Sequence, residues 1–129
     1  MYEPNRTKPV SRMGGGRADY PHRSRGEELD IQLAGHLAAL LAVTDELGLD
    51  EPAAQIAAQV ARLRGAEPPR GAGPVTGGEY AALHRRAHDL AARALLVAAS
   101  RADTAVAILA AERMDAHSAA LRLAGVGAP

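Results

Sequence analysis

Apolar side chains recur every three or four residues through most of residues 25–124, and no stretch alternates convincingly with a period of two. This spacing is typical of amphipathic α-helices and disfavours a sheet architecture. Thirty of the 129 residues are alanine, which is the strongest helix former. Alanine on inner faces lets helices approach closely but buries little apolar area, so we expect a thin core that favours burial against a second subunit.

Capping signals divide the first half of this pattern into two helices. Ser24 and Glu27 have the spacing of a capping box, and Gly48 is a natural C-terminal stop, so the first helix is predicted over 25–47. Asp50 is the predicted N-cap of a second helix over 51–64, which ends at Gly65. Three prolines and two glycines then predict a flexible loop over 66–76.

The second half contains two further start signals. Thr76 and Glu79 form a second capping box, with Val75 and Tyr80 as a hydrophobic staple, and predict a third helix over 77–100. A capping-box spacing from Ser100 to Asp103 breaks what would otherwise be one helix of about 46 residues. The fourth helix is therefore predicted over 102–124. We therefore predict an all-α fold, which is an antiparallel four-helix bundle over 25–125.

The net charge of zero conceals an uneven distribution of charge. The first 26 residues carry six basic and two acidic side chains, whereas the remainder has a charge of −4. Residues 1–24 contain prolines and the run Gly14–Gly16 and have almost no aliphatic side chains to bury, so we expect a disordered basic arm. Such an arm suits nucleic acid or an acidic partner, but its cations are sparse, and we expect no nucleic-acid binding.

Several classes of protein are disfavoured by composition. The absence of cysteine excludes disulfides, a thiol nucleophile and thiolate metal sites. The longest apolar runs, 37–43 and 105–111, are seven residues each, too short for a membrane helix. No apolar segment of a secretory signal follows the first residues, so a cytoplasmic location with no membrane partner is expected.

Polar side chains interrupt the apolar faces of three helices. His36 takes an inner position on the first helix, His84 flanks the inner face of the third, and Arg113 and His117 interrupt the fourth. If the first helix runs parallel to the third, these four residues share one layer, with Glu112 nearby. An inward arginine needs a carboxylate or a bound anion. Alternatively, the histidines are hydrogen-bonded core residues and Arg113 extends to solvent.

A metal site is a further hypothesis. His84 and His88 have the i, i+4 spacing with which two imidazoles can share one ion, and Asp115 is predicted to lie opposite His88. The chain has no Glu-x-x-His pair of the kind that di-iron bundles use, and Arg113 would repel a cation.

No catalytic arrangement stands out from the residues. Ser100 and Ser118 lie in predicted helices without a nucleophile elbow, and no pair of carboxylates is isolated among apolar residues. We therefore expect a non-enzymatic interaction or regulatory module without a cofactor and with an unidentified protein partner. We also expect a homodimer, because Ile31 and Ile108 lie off the main apolar stripes. The alternative is a bundle that binds a small anion or metal through its inward histidines and arginine.

Two stretches carry a resemblance to a known group of proteins. HRSRGEELDIQLAGHLAALLAVTDEL (His22–Leu47) and LVAASRADTAVAILAAERMDAH (Leu96–His117), with the opening MYEPNRTK, resemble small Ala-rich helical proteins from Streptomyces-type bacteria. The resemblance implies a cytoplasmic bacterial protein. It carries no activity, cofactor or site residue across.

Overall fold

Four α-helices account for most of the structure, a computed structural model that describes residues 23–71, 73–74 and 79–125. They are α1 (Arg25–Glu46), α2 (Asp50–Arg64), α3 (Tyr80–Arg101) and α4 (Thr104–Leu123), and these ranges contain no strand. The predicted all-α fold is confirmed. No helix among the described residues is long and apolar enough to span a bilayer. The predicted disordered arm lies outside the described residues, apart from Arg23 and Ser24.

The ends of α1 and the end of α2 follow the sequence signals. The Ser24 hydroxyl accepts a hydrogen bond from the Glu27 N–H at 3.0 Å, and the Ser24 N–H donates to the Glu27 carboxylate at 2.8 Å. This is the predicted capping box. Gly48 and Gly65 have φ of +73° and +76°, the left-handed conformation that glycine adopts without a steric penalty. Both helices therefore stop where the glycines predict.

The predicted start of α2 is wrong by one residue. Asp50 is the first residue of the helix, and the N-cap is Leu49, which supplies no side-chain hydrogen bond. The Asp50 carboxylate lies in the first turn instead, where its negative charge interacts favourably with the positive end of the helix dipole. The third helix begins at Tyr80 rather than at 77, and the predicted box and staple residues at 75 and 76 lie outside the described part of the chain.

A two-residue break separates α3 from α4, so the long apolar pattern forms two helices. The cap of α4 is Asp103, whose carboxylate accepts a hydrogen bond from the Val106 N–H at 3.2 Å. Ser100, the predicted cap, lies in the last turn of α3. Ala102 makes the turn with φ of +60°. A carboxylate just beyond the turn thus caps the helix where the earlier hydroxyl was expected to do so.

Ion pairs between helix ends show the directions of the helices. Arg101 at the end of α3 contacts Asp30 near the start of α1 at 2.9 Å, so α1 and α3 are antiparallel. Arg62 near the end of α2 contacts Asp103 at the start of α4 at 2.8 Å. The α1 helix packs against α2 and α3, α3 packs against α4, and α2 and α4 touch only slightly. Every neighbouring pair is therefore antiparallel, and the expectation that the first helix parallels the third is wrong.

The core consists mainly of leucine and alanine side chains. Helices α1 and α2 contribute large buried side chains, whereas the centre of the inner face of α3 is alanine except for Leu90. The buried alanines of α3 are Ala87, Ala91, Ala94 and Ala98. The same core cluster contains large side chains of α1 and α2, which are Leu33, Leu37, Leu40, Leu41, Ile56 and Val60. The inner face of α3 thus carries the small side chains from which the composition predicts close helix packing.

The connection from α2 to α3 crosses the length of the bundle and is anchored on one carboxylate. Asp45, at the end of α1, accepts hydrogen bonds from Arg70 Nη2 at 2.7 Å, Arg70 Nε at 3.0 Å and the Gly71 N–H at 2.8 Å. Its side chain is only 8% exposed, and Arg70 holds the pKa of Asp45 below its usual range. A Cβ on Gly71 would lie 2.8 Å from the Asp45 Cβ, so the site requires glycine. The predicted flexible loop is thus anchored at this point.

We predict that breaking this anchor destabilises the bundle more than breaking an exposed ion pair. Arg70→Ala leaves the buried Asp45 carboxylate with one of its three donors, which should lower the free energy of unfolding by about 1–3 kcal/mol. Arg23→Ala removes the Arg23–Glu28 pair, in which both side chains are exposed (61% and 49%), and should cost less than about 1 kcal/mol. Urea unfolding of both variants measures the difference. Equal losses would contradict the anchoring role.

Candidate functional site

Two buried histidines meet between α3 and α4. His84 Nδ1 and His117 Nδ1 lie 2.8 Å apart, and the side chains are 4% and 0% exposed. The short turn at Ala102 fixes the register of the two helices and brings these positions to the same level. A contact of this length between two ring nitrogens requires one proton, which one ring donates to the lone pair of the other.

Arg113 completes what we call the histidine–arginine cluster, His84, His117 and Arg113. It lies one helical turn before His117 on the same face of α4, and its side chain is partly buried. Arg113 Nε and His117 Nε2 are both buried and have no hydrogen-bond partner among the described residues. Two unpartnered polar atoms one turn apart are unusual, because buried polar groups are nearly always hydrogen-bonded.

Tyr80 covers the cluster from the start of α3. Its ring meets the ring of His84 in an edge-to-face arrangement with centroids 4.3 Å apart, and Tyr80 remains 54% exposed. Sequence reasoning assigned Tyr80 to a hydrophobic staple and missed this contact. The i, i+4 spacing of Tyr80 and His84 was the available signal, since residues four apart on a helix are neighbours.

Burial and positive charge keep both histidines neutral. Burial, then the charges of Arg113, His84 and His88, lower the pKa of His117 to about 4. Burial and then Arg113 also lower the pKa of His84. Burial lowers the pKa of Arg113 itself, against the opposing charge of Glu112, but a guanidinium stays protonated in proteins. The cluster therefore carries one positive charge at neutral pH.

His36 lies far from this cluster, contrary to the predicted layer. The contact of Asp30 with Arg101 sets the register of α1 against α3, and His36, six residues beyond Asp30, is level with Leu95. That level is eleven residues from His84, or about 16 Å along the helix. The prediction assumed parallel first and third helices, whereas the long connection 65–79 makes them antiparallel. Three of the four predicted residues meet, and His36 does not.

The predicted metal ligands His84, His88 and Asp115 are not assembled. No three histidine, aspartate or glutamate side chains in the described part of the chain are close enough to hold a metal ion. Asp115 is exposed, and the half-buried His88 has its nearest carboxylate in Asp89, with 3.6 Å between Nδ1 and Oδ1. His84 already uses Nδ1 in its contact with His117. The histidine pair thus takes the place of the predicted metal site.

Comparison with known proteins finds no relative: no family model, no curated protein and no solved structure matches this chain. The resemblance to Ala-rich proteins of Streptomyces-type bacteria therefore stays a prediction. The function has to be inferred from the cluster and the surface of the bundle themselves.

We predict that the histidine pair makes the fold sensitive to mild acid. The unfolded chain binds a proton at His117 near pH 6.5, whereas the folded chain does so only near pH 4. The free energy of unfolding should therefore fall as the pH drops from about 6.5 to 4, by up to about 3 kcal/mol for His117. His84 acts in the same direction, while stabilisation by Asp45 is lost only at lower pH, below its usual range.

Urea unfolding between about pH 4.5 and 7.5 measures this dependence. His117→Gln should flatten it, because glutamine does not titrate. The matched control is His36→Gln, which removes a half-buried histidine outside the cluster and should leave the slope unchanged. A wild-type stability that stays constant over this range would contradict the prediction.

Proposed function

We propose that this protein is a non-enzymatic binding module that holds a small anion at the histidine–arginine cluster. The observation that carries the proposal is the pair of buried, unpartnered atoms, Arg113 Nε and His117 Nε2, beside a guanidinium with no hydrogen-bonded carboxylate among the described residues. Burying a charged or polar group without a partner is costly, and an anion would supply the missing acceptors. The predicted anion-binding alternative is thus the better-supported function.

The anion also determines which ring nitrogen of each histidine carries a proton. Both unpartnered atoms must donate to an anion, so His117 carries its proton on Nε2 and presents a bare lone pair at Nδ1. His84 then donates from Nδ1 across the 2.8 Å contact. His84 is in this arrangement a positioning residue, which fixes the tautomer of His117. This division of roles follows the general logic of paired ring nitrogens, in which one hydrogen bond sets the state of the other nitrogen.

Size and access favour a small oxyanion or carboxylate. His117 is fully buried and His84 nearly so, which leaves little room for a large ligand. Arg113 retains partial exposure, so an anion can approach its guanidinium from solvent, and a small movement of the side chains over Arg113 Nε and His117 Nε2 would complete the site. Tyr80 lies over His84 at the border between the cluster and solvent, where its ring shields the bound charge from water.

We predict that small anions raise the thermal stability of the protein through Arg113. Sodium sulfate, phosphate and acetate are compared with sodium chloride at equal ionic strength. A ligand at about 100 times its Kd adds about 2.7 kcal/mol, which raises Tm by roughly 10 °C for a chain of this size. Nitrogen NMR shifts of His117 should then report a proton on Nε2.

Arg113→Gln should abolish the anion-specific rise, whereas Arg93→Gln, an exposed arginine of α3, should retain it. This pair of variants is necessary because sulfate and phosphate also stabilise proteins by exclusion from the surface. An equal rise in wild type and Arg113→Gln, or none in either, would show that the cluster does not bind these anions.

A second proposal, that the bundle is a homodimeric interaction module, rests on a different observation. Leu96 on α3 is 72% exposed and Ile108 on α4 is 55% exposed. Each is six residues from Ala102, so the two lie at the same level of the antiparallel hairpin. Large apolar side chains exposed at one level of two neighbouring helices are the kind of surface that a second copy can cover, and we call them the apolar patch. Because the alanine-rich core buries little apolar area, burial of this surface against a second copy would add stability.

We predict that this patch mediates self-association. Light scattering at high micromolar concentration should give twice the mass of one chain, and Leu96→Ser with Ile108→Ser should halve it. Leu123→Ser, which removes an 89% exposed leucine at the end of α4, is the matched control and should leave the dimer intact. A strict monomer in the wild type would contradict this second proposal and would leave the anion site unaffected.

A further inference from the structure

The His84–His117 pair can take up one additional proton and no more. In the neutral pair one proton lies between the two Nδ1 atoms, which are 2.8 Å apart. The accepting ring carries its own proton on Nε2, so an additional proton can go only to the bare Nε2 of the donating ring, where it keeps that hydrogen bond and turns this ring into an imidazolium. One more proton would place N–H groups on both sides of the same contact, where they would repel. The pair therefore titrates as a unit with a single accessible step.

The groups around the pair disfavour the uptake of this proton when no anion is bound. On α3, His88 and the neutral ring of Tyr80 accompany His84. On α4, Arg113 faces the pair, and Glu112 acts on Arg113. No charged group of α1 or α2 within the described ranges has a resolved effect on either histidine. Positive charge and burial thus both oppose protonation, and no carboxylate of the described residues is hydrogen-bonded to either histidine.

Resting on the proposed anion site, we infer that the cluster binds its anion together with one proton, which the His84–His117 pair takes up. An anion beside Arg113 and His117 places a negative charge directly at the pair, so it favours the imidazolium that burial otherwise disfavours. By linkage, the protonated pair then binds the anion more tightly. The charge of the cluster changes from +1 to +2 in this step.

The charge of +2 indicates the class of ligand. A doubly charged oxyanion, such as sulfate or hydrogen phosphate, neutralises the protonated cluster completely, whereas a singly charged carboxylate neutralises only the form without the added proton. A dianion therefore gains more from the proton than a monoanion does. We infer a small dianionic oxyanion, bound more tightly in mild acid than at neutral pH.

Sulfate is the probe for the experiment, because it stays doubly charged throughout the pH range in which histidines titrate. Isothermal titration calorimetry of the full chain with sodium sulfate is run between about pH 5.5 and 7.5, in pairs of buffers with different ionisation enthalpies. The expected result is an affinity that rises up to about tenfold for each unit fall in pH. The buffer pairs should show uptake of up to one proton per sulfate bound.

Two histidine variants identify the group that takes up the proton. His84→Gln breaks the pair and should remove most of the proton uptake, whereas His88→Gln, the same substitution one turn further along α3, should retain it. Circular dichroism at each pH shows whether the variants fold. The wild-type buffer comparison tests the coupling even if His84→Gln does not fold, because it counts protons directly, and His117→Gln then tests the assignment to the pair.

The outcomes separate this inference from the proposed function. Sulfate binding with the same affinity at every pH and without proton uptake overturns the proton coupling and leaves the anion site standing. Unchanged proton uptake in folded His84→Gln overturns the assignment to the pair. No sulfate binding at any pH, with no thermal stabilisation by phosphate or acetate, overturns the anion site and the coupling together.

Discussion

The connection between the two helical hairpins is the constraint on which the arrangement of the bundle depends. It crosses from the end of α2 to the start of α3, and Asp45 anchors it through Arg70 and Gly71. A crossing connection makes α3 parallel to α2 and antiparallel to α1, so each neighbouring pair in the bundle is antiparallel. The same crossing places the start of α3, with His84, at the end of the bundle where Asp45 lies.

The boundaries that sequence could predict were those fixed by local chemistry. Ser24 and Glu27 form their hydrogen bonds within one turn, and glycines 48 and 65 adopt a backbone conformation that few other residues tolerate. Where two local signals compete, the pattern does not decide between them. Asp103 rather than Ser100 caps α4, because the carboxylate lies just beyond the residue that makes the turn.

In the candidate site, too, the contacts fixed by local chemistry could be predicted from sequence, and those that depend on the path of the chain could not. His84 and His117 were predictable as neighbours because a two-residue turn fixes the register of α3 and α4. The position of His36 was not, since it depends on whether α3 runs parallel or antiparallel to α1, which no periodicity encodes. The contact of Tyr80 with His84 was predictable too, because the two residues lie four apart within the predicted third helix.

The anchored crossing also bears on how copies of this chain can combine. Helices α1 and α2 form one local hairpin, α3 and α4 form another, and only residues 65–79 join them. If two copies exchanged one hairpin each, every contact between α1 and α3 would be restored with the other chain as partner. Such an exchange asks only that the connecting segment be long and be released from its anchor. The Asp45 carboxylate, by holding Arg70 and Gly71 against its own α1, therefore favours a bundle closed within one chain over an exchange of hairpins between two.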